Sequence, residues 1–137
     1  MASDGRILLV EDEPDLLDTL SLYLRGRGYE IYPAADLPTA RHHLDTRPID
    51  LAVLDVGAHG LRLAREAATR NIPCVLMSGR PVILEMGGIG AVLPKPFKLD
   101  VLAARIAEQL RSYRDAPRVG QQKVAKPLAA SEPLVTL

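Results

Sequence analysis

The sequence has one cysteine, no tryptophan and a single phenylalanine. One cysteine excludes an internal disulfide and any cysteine-cluster metal site. Cys74 sits in the apolar run Pro73-Cys74-Val75-Leu76-Met77, where a free thiol packs as a small hydrophobe. The scarcity of aromatic residues makes the core aliphatic and leaves no stacking platform for nucleic-acid bases. Lys plus Arg and Asp plus Glu each total 17, so formal charge cancels. An electrostatic footprint for nucleic acid or an anionic membrane is therefore missing. No apolar stretch approaches the roughly 20 residues that span a bilayer. Met1-Ala2-Ser3-Asp4-Gly5 lacks the basic start and apolar centre of a signal peptide, so the expected location is cytoplasmic.

What is present is a rhythm. Its 137 residues, 47% of them hydrophobic, suit one domain with one core. Short apolar runs alternate with helical patterns. Arg6 to Val10 reads as a strand covered on both faces. Asp12 or Glu13 caps a helix with Pro14 in its first turn, Leu16, Leu17, Leu20 and Leu24 at helical spacing, and Gly26 and Gly28 as the stop. A second strand at Glu30 to Ala34 leads to a helix capped by Asp36 and running to Asp45, with Leu37, Ala40 and Leu44 inward. The third strand is expected over Ile49 to Leu54 and the third helix near Gly60 to Arg70, burying Leu61, Leu63, Ala64 and Ala67. The fourth strand is Cys74 to Met77. Pro81 and Gly87-Gly88 confine any fourth helix to a truncated one near Val82 to Met86. A fifth strand, Ala91 to Leu93, precedes a last helix from Lys98 with Leu99, Leu102, Ile106 and Leu110 inward. Five βα repeats point to a parallel sheet in a three-layer α/β/α sandwich with right-handed crossovers. From about Ser112 the apolar period ends, so the domain is expected over residues 1–112, with residues 113–137 as a flexible tail.

The charged residues fall where the strands stop. Glu11 and Asp12 follow the first strand, Asp55 the third and Lys95 the fifth. In an open α/β sheet the carboxyl edge, at the point where strand order reverses, is where ligands bind. A carboxylate cluster there suits Mg²⁺, and a lysine beside it suits a phosphoryl group. Singly, each has an ordinary reading: an aspartate after a strand as a helix cap, a lysine as a solvated charge, Ser78 as a cap. Together they do not, because like charges gathered without a counterion repel. His42 and His43 diverge around a helix and are expected in solvent. His59, in a loop close to Asp55, is a candidate for touching the site or for pH dependence. Gly87-Gly88-Ile89-Gly90 lacks the preceding strand and following lysine of a phosphate-binding loop.

The acidic turn Leu9-Val10-Glu11-Asp12-Glu13-Pro14, Asp55 after the third strand, Ser78-Gly79 after the fourth and Lys95-Pro96-Phe97 after the fifth occur in that order. On these motifs, residues Arg6 to Leu110 resemble a receiver domain of the two-component response-regulator family. The resemblance implies the flavodoxin-like strand order 2-1-3-4-5. It also implies that Asp55 accepts a phosphoryl group from a phosphohistidine. Mg²⁺ would be held by Asp12, Asp55 and the backbone carbonyl of Gly57, with Glu11 helping directly or through water. Lys95 would pair with the carboxylate and then with the phosphoryl oxygens, across a cis peptide between Lys95 and Pro96. Ser78 would donate its hydroxyl to the phosphoryl group, with Gly79 leaving room for it. The implied partners are a sensor histidine kinase or a histidine phosphotransfer protein and a downstream protein target, without nucleic acid or membrane; a homodimer is left open.

Three departures from the family pattern accompany these matches. Val56-Gly57-Ala58-His59-Gly60 is compressed and lacks the usual proline. The segment from Ser78 to Lys95 is short. The position three before the lysine, usually an aromatic switch, is Val92. Catalytic residues are kept while the readout face is altered. Three functions compete: a phosphoacceptor that acts alone and turns over no metabolite; a pseudo-receiver that works by protein binding without phosphorylation; and a flavodoxin-like nucleotide or flavin enzyme, which the acids after the first strand oppose.

Overall fold

The computed structural model describes residues 4–79 and 90–115. In chain order they form β1 (Arg6–Val10), α1 (Pro14–Gly26), β2 (Glu30–Ala34), α2 (Leu37–Thr46), β3 (Leu51–Asp55), a 3-10 turn (Val56–Ala58), α3 (Gly60–Thr69), β4 (Cys74–Ser78), β5 (Gly90–Pro94) and α4 (Leu99–Asp115). The truncated helix expected near Val82 to Met86, and residues 116–137 of the tail expected over 113–137, lie outside the described residues, while α4 continues through residues 113–115. Among the described residues, no helix is long and apolar enough to cross a membrane.

All strand pairs are parallel and the sheet order is β2-β1-β3-β4-β5. The runs are continuously apolar because both faces are covered, and the pleat sorts their side chains alternately. Leu8, Val10, Ala52, Leu54, Cys74, Leu76 and Val92 pack with Ala40 and Leu44 of α2 and Leu63, Ala64 and Ala67 of α3. Ile7, Leu9, Leu51, Val53, Val75, Met77, Ala91 and Leu93 pack with Leu20 and Leu24 of α1 and Leu102, Ile106 and Leu110 of α4. The result is the three-layer sandwich that the rhythm of the sequence predicts.

Local chemistry sets the element ends. Glu13, not Asp12, caps α1: its Oε1 accepts the Leu16 N–H at 2.6 Å, with Pro14 in the first turn. Asp36 caps α2 by accepting the Thr39 N–H at 2.8 Å. The third strand begins at Leu51 rather than Ile49, because Asp50 is engaged at the strand entrance. The Asp50 N–H donates to the Arg6 carbonyl at 2.8 Å and its carboxylate accepts the Arg6 N–H, also at 2.8 Å. The same strand extends to Asp55, whose partner across the ladder is Met77.

His43 corrects the expectation of a solvated histidine pair. His42 is exposed, but His43 is half-buried, with Nε2 3.0 Å from the Pro33 carbonyl and its ring against Tyr32. The edge strand and α2 approach closely enough to take the imidazole out of water, a long-range contact invisible in local spacing. Burial pushes the Cys74 thiol up to about 12, so it is an inert core group.

Leu63 is fully buried between α3 and the sheet, whereas Leu22 on α1 is 74% exposed. Leu63→Ala is expected to lower unfolding stability by about 3 kcal/mol, and Leu22→Ala by less than about 0.5 kcal/mol. Urea denaturation of the two variants checks the contrast.

Candidate functional site

Strand order reverses between β1 and β3: β2 lies beyond β1 on one side, β4 and β5 beyond β3 on the other. The crevice outside the carboxyl ends of those two strands is the default ligand position of such a sheet. Glu11 directly follows β1, Asp55 closes β3, Ser78 closes β4 and Lys95 directly follows β5.

Lys95 draws the carboxyl ends together. Its Nζ donates to Asp55 Oδ1 at 2.9 Å and to Glu11 Oε1 at 3.1 Å. Its own backbone N–H donates to the Ser78 carbonyl at 2.7 Å, which ties β4 into the same knot. The Lys95-Pro96 peptide is cis, as the family resemblance implied. The other Glu11 oxygen accepts the Glu13 N–H at 3.1 Å, so the residue that caps α1 also orients the acid. Glu11 and Asp55 are buried, at 1% and 6% exposure, while Asp12 is open to solvent.

These surroundings act on the charges in opposite directions. Burial is the largest influence on Glu11 and raises its carboxyl above the usual range. The Glu13 N–H and Lys95 pull it down, Asp55 pushes it up, and the net direction is upward. For Lys95, burial works to lower the ammonium, but the hydrogen bonds and charges of Asp55 and Glu11 outweigh it and the net direction is upward.

One carboxylate oxygen from each of Glu11, Asp12 and Asp55 lies within 4.8 Å of the others. Among the described residues, three carboxylates face a single ammonium, an excess of negative charge that a cation would neutralise. An all-oxygen donor set suits a hard divalent ion such as Mg²⁺ rather than one that prefers nitrogen or sulfur. Gly57 lies in the 3-10 turn after Asp55, where a Cβ would stand 3.4 Å from Asp55 Oδ2.

The structure thus brings Glu11, Asp12, Asp55 and Lys95 together and places Gly57 beside the Asp55 carboxylate. Ser78 is buried at 3% exposure and pairs with Pro94, one step beyond the Met77 that faces Asp55. His59 is exposed, in the left-handed conformation at φ 65°, and its carbonyl accepts the Leu63 N–H at 3.0 Å. Gly60, which the sequence pattern marks only as a helix start, lies directly against the Asp55 backbone. Val92, at the position usually held by an aromatic residue, is buried at 5% exposure in the layer beneath α2 and α3.

Fold and site define a flavodoxin-like α/β domain with a lysine-bridged acidic cluster at its switch point. A family model, the response regulator receiver domain, matches residues 7–107, and the chain belongs to that family. It is 31% identical over 126 residues to the regulatory protein VanR of Enterococcus faecium, covering 85% of this chain and 54% of VanR. It is 31% identical over 121 residues to the DNA-binding response regulator MtrA of Mycolicibacterium smegmatis, covering 82% of this chain and 53% of MtrA. The chain therefore spans about half the length of these curated relatives. Among solved structures, the receiver domain of the hybrid histidine kinase CckA is 34% identical, with a TM-score of 0.63, covering 77% of this chain and 99% of that one. The response regulator TrrA of Thermotoga maritima, solved in complex with Mg²⁺-BeF, is 26% identical, with a TM-score of 0.69, covering 77% and 98%.

Removing the ammonium leaves two buried carboxylates facing each other. Lys95→Ala is expected to cost about 3 kcal/mol at neutral pH without divalent cation. Because the folded state holds the Lys95 proton more tightly than the ordinary value of 10.5, its contribution is complete below that pH. The gap between the two proteins should close as pH rises above 10.5 through the raised folded value. Denaturant titrations from neutral to alkaline pH measure it.

Proposed function

We propose that the chain is a phosphoacceptor of a two-component phosphorelay, acting in the cytoplasm and signalling by protein contact. The observation that carries this reading is the Lys95 ammonium shared between Asp55 and Glu11 at the sheet's switch point, with the Asp12 carboxylate alongside. A structural role gives no reason to assemble three acids around one lysine at the one edge of the fold suited to a ligand.

Asp55 is the nucleophile in this reading. One of its oxygens bonds to phosphorus as the phosphorus–nitrogen bond of a phosphohistidine breaks, and the donor's imidazole, already protonated on its other ring nitrogen, takes the bond's electron pair and leaves as the neutral ring. The donor is a sensor histidine kinase or a histidine phosphotransfer protein. Glu11, Asp12, Asp55 and the Gly57 carbonyl would hold Mg²⁺, which when bound neutralises the oxygens of the phosphoryl group. Lys95 gives up part of its contact with Asp55 and turns its N–H groups to the phosphoryl oxygens. Ser78 donates its hydroxyl to one of them, and Gly79 adds no side chain to obstruct the group. The chain catalyses only its own phosphorylation and dephosphorylation.

Val92 shapes the readout. Buried on the same face of the sheet as α2 and α3, it offers neither an aromatic ring to swing between two positions nor a hydroxyl. The response to phosphorylation then passes through Ser78 and the backbone it shares with Lys95. The zero formal charge gives no electrostatic support for nucleic-acid contact, so the target proposed is a protein. The same Val92 observation favours a second reading, a pseudo-receiver that binds proteins without being phosphorylated.

Intact mass after incubation with acetyl phosphate separates the two. A single phosphate adduct that needs Mg²⁺, disappears with EDTA and is lost in Asp55→Asn is the expected result. Undiminished incorporation in Asp55→Asn would remove Asp55 from its role. No adduct together with no Mg²⁺ binding by titration would establish the pseudo-receiver.

A further inference from the structure

We propose that Gly60 is a positioning residue for Asp55: the bare Cα at the start of α3 lets that helix rest on the Asp55 peptide and so holds the acceptor carboxylate in register with Lys95. This rests on the reading of Asp55 as phosphoacceptor.

A Cβ on Gly60 would overlap the Asp55 carbonyl oxygen, stand 2.7 Å from the Asp55 carbonyl carbon and 3.4 Å from Leu54 Cβ. Backbone atoms cannot swing aside as the end of a flexible side chain can. Either the helix start withdraws or the Asp55 peptide moves.

The connection between β3 and α3 leaves no slack for the first option. Only Val56–His59 separate the strand from the helix, as one 3-10 turn followed by His59 at φ 65°. A non-glycine residue in that left-handed conformation is already unfavourable, so the loop is drawn tight. His59 makes no side-chain cap on α3, so the contact with the strand end takes that place in locating the helix. Behind the helix start, Leu63, Ala64 and Ala67 are locked into the core at 0–1% exposure. A close-packed layer does not yield by tenths of an ångström without cost. The displacement therefore falls on Asp55, whose Oδ1 is 2.9 Å from Lys95 Nζ. Misplacement of a reacting group by about 1 Å costs on the order of 100-fold in rate.

The test compares Gly60→Ala with the unaltered chain, using acetyl phosphate and Mg²⁺ and following adduct formation by intact mass. Gly26→Ala, where a Cβ would meet nothing within 4 Å, is the control and should react like the unaltered chain. In folded Gly60→Ala, the rate at saturating acetyl phosphate should fall at least tenfold. A merely structural role would instead lower the folded fraction while the folded molecules reacted at the original rate. Adding one glycine between Ala58 and His59 of Gly60→Ala gives the helix room to withdraw and should return the rate to within about threefold. If Gly60→Ala does not fold, the lengthened chain carries the test by the same criterion. A folded Gly60→Ala within twofold of the unaltered rate, or a folded lengthened chain that stays slow, would overturn the proposal. Absence of both an adduct and Mg²⁺ binding in the unaltered chain would instead defeat the phosphoacceptor reading.

Discussion

Lys95 donates to two carboxylates that the fold has withdrawn from water, and the rest of the site is arranged around that bond pair. Glu11 follows β1, Asp55 ends β3 and Lys95 follows β5. One ammonium therefore closes the carboxyl edge of the sheet across its centre. Taken alone, Glu11 is an unfavourable group, since burial raises its carboxyl above the usual range. Its second oxygen on the Glu13 N–H and its first on Lys95 make the burial tolerable. Because Glu13 also caps α1, the first helix, the first acid and the lysine form one connected set of hydrogen bonds.

That arrangement balances only part of the charge. Asp12, exposed beside the buried pair, adds a third carboxylate against the one ammonium. A site built in this way offers the oxygen donors and the negative charge that suit a divalent cation, in keeping with the family to which the chain belongs. Away from the charged cluster, Val92 is a core residue and β3 runs into α3 through a connection of four residues.

Much of this was legible in the residues. Continuous apolar runs marked strands covered on both faces, and the spacing of Leu16, Leu20 and Leu24 or of Leu102, Ile106 and Leu110 marked the helices. Asp36 announced its own cap. Errors came where a distant partner overrode local pattern. Asp50 meets Arg6 and so delays the start of β3. His43 turns from solvent toward Pro33. The importance of Gly60 is a contact with the backbone of Asp55, and a glycine at a helix start carries no local mark of such a contact.

The sequence by itself determined the alternation of strands and helices and placed Glu11, Asp12, Asp55 and Lys95 each at the end of an apolar run, because backbone periodicity and burial act locally. Only the tertiary structure decided that Lys95 bonds both Glu11 and Asp55 while Asp12 stays in solvent, that Val92 joins the layer beneath α2 and α3, and that α3 begins on the Asp55 carbonyl. Those outcomes depend on parallel register and helix docking between segments tens of residues apart. No local preference encodes such distances; they are settled when the two faces of the sheet are packed.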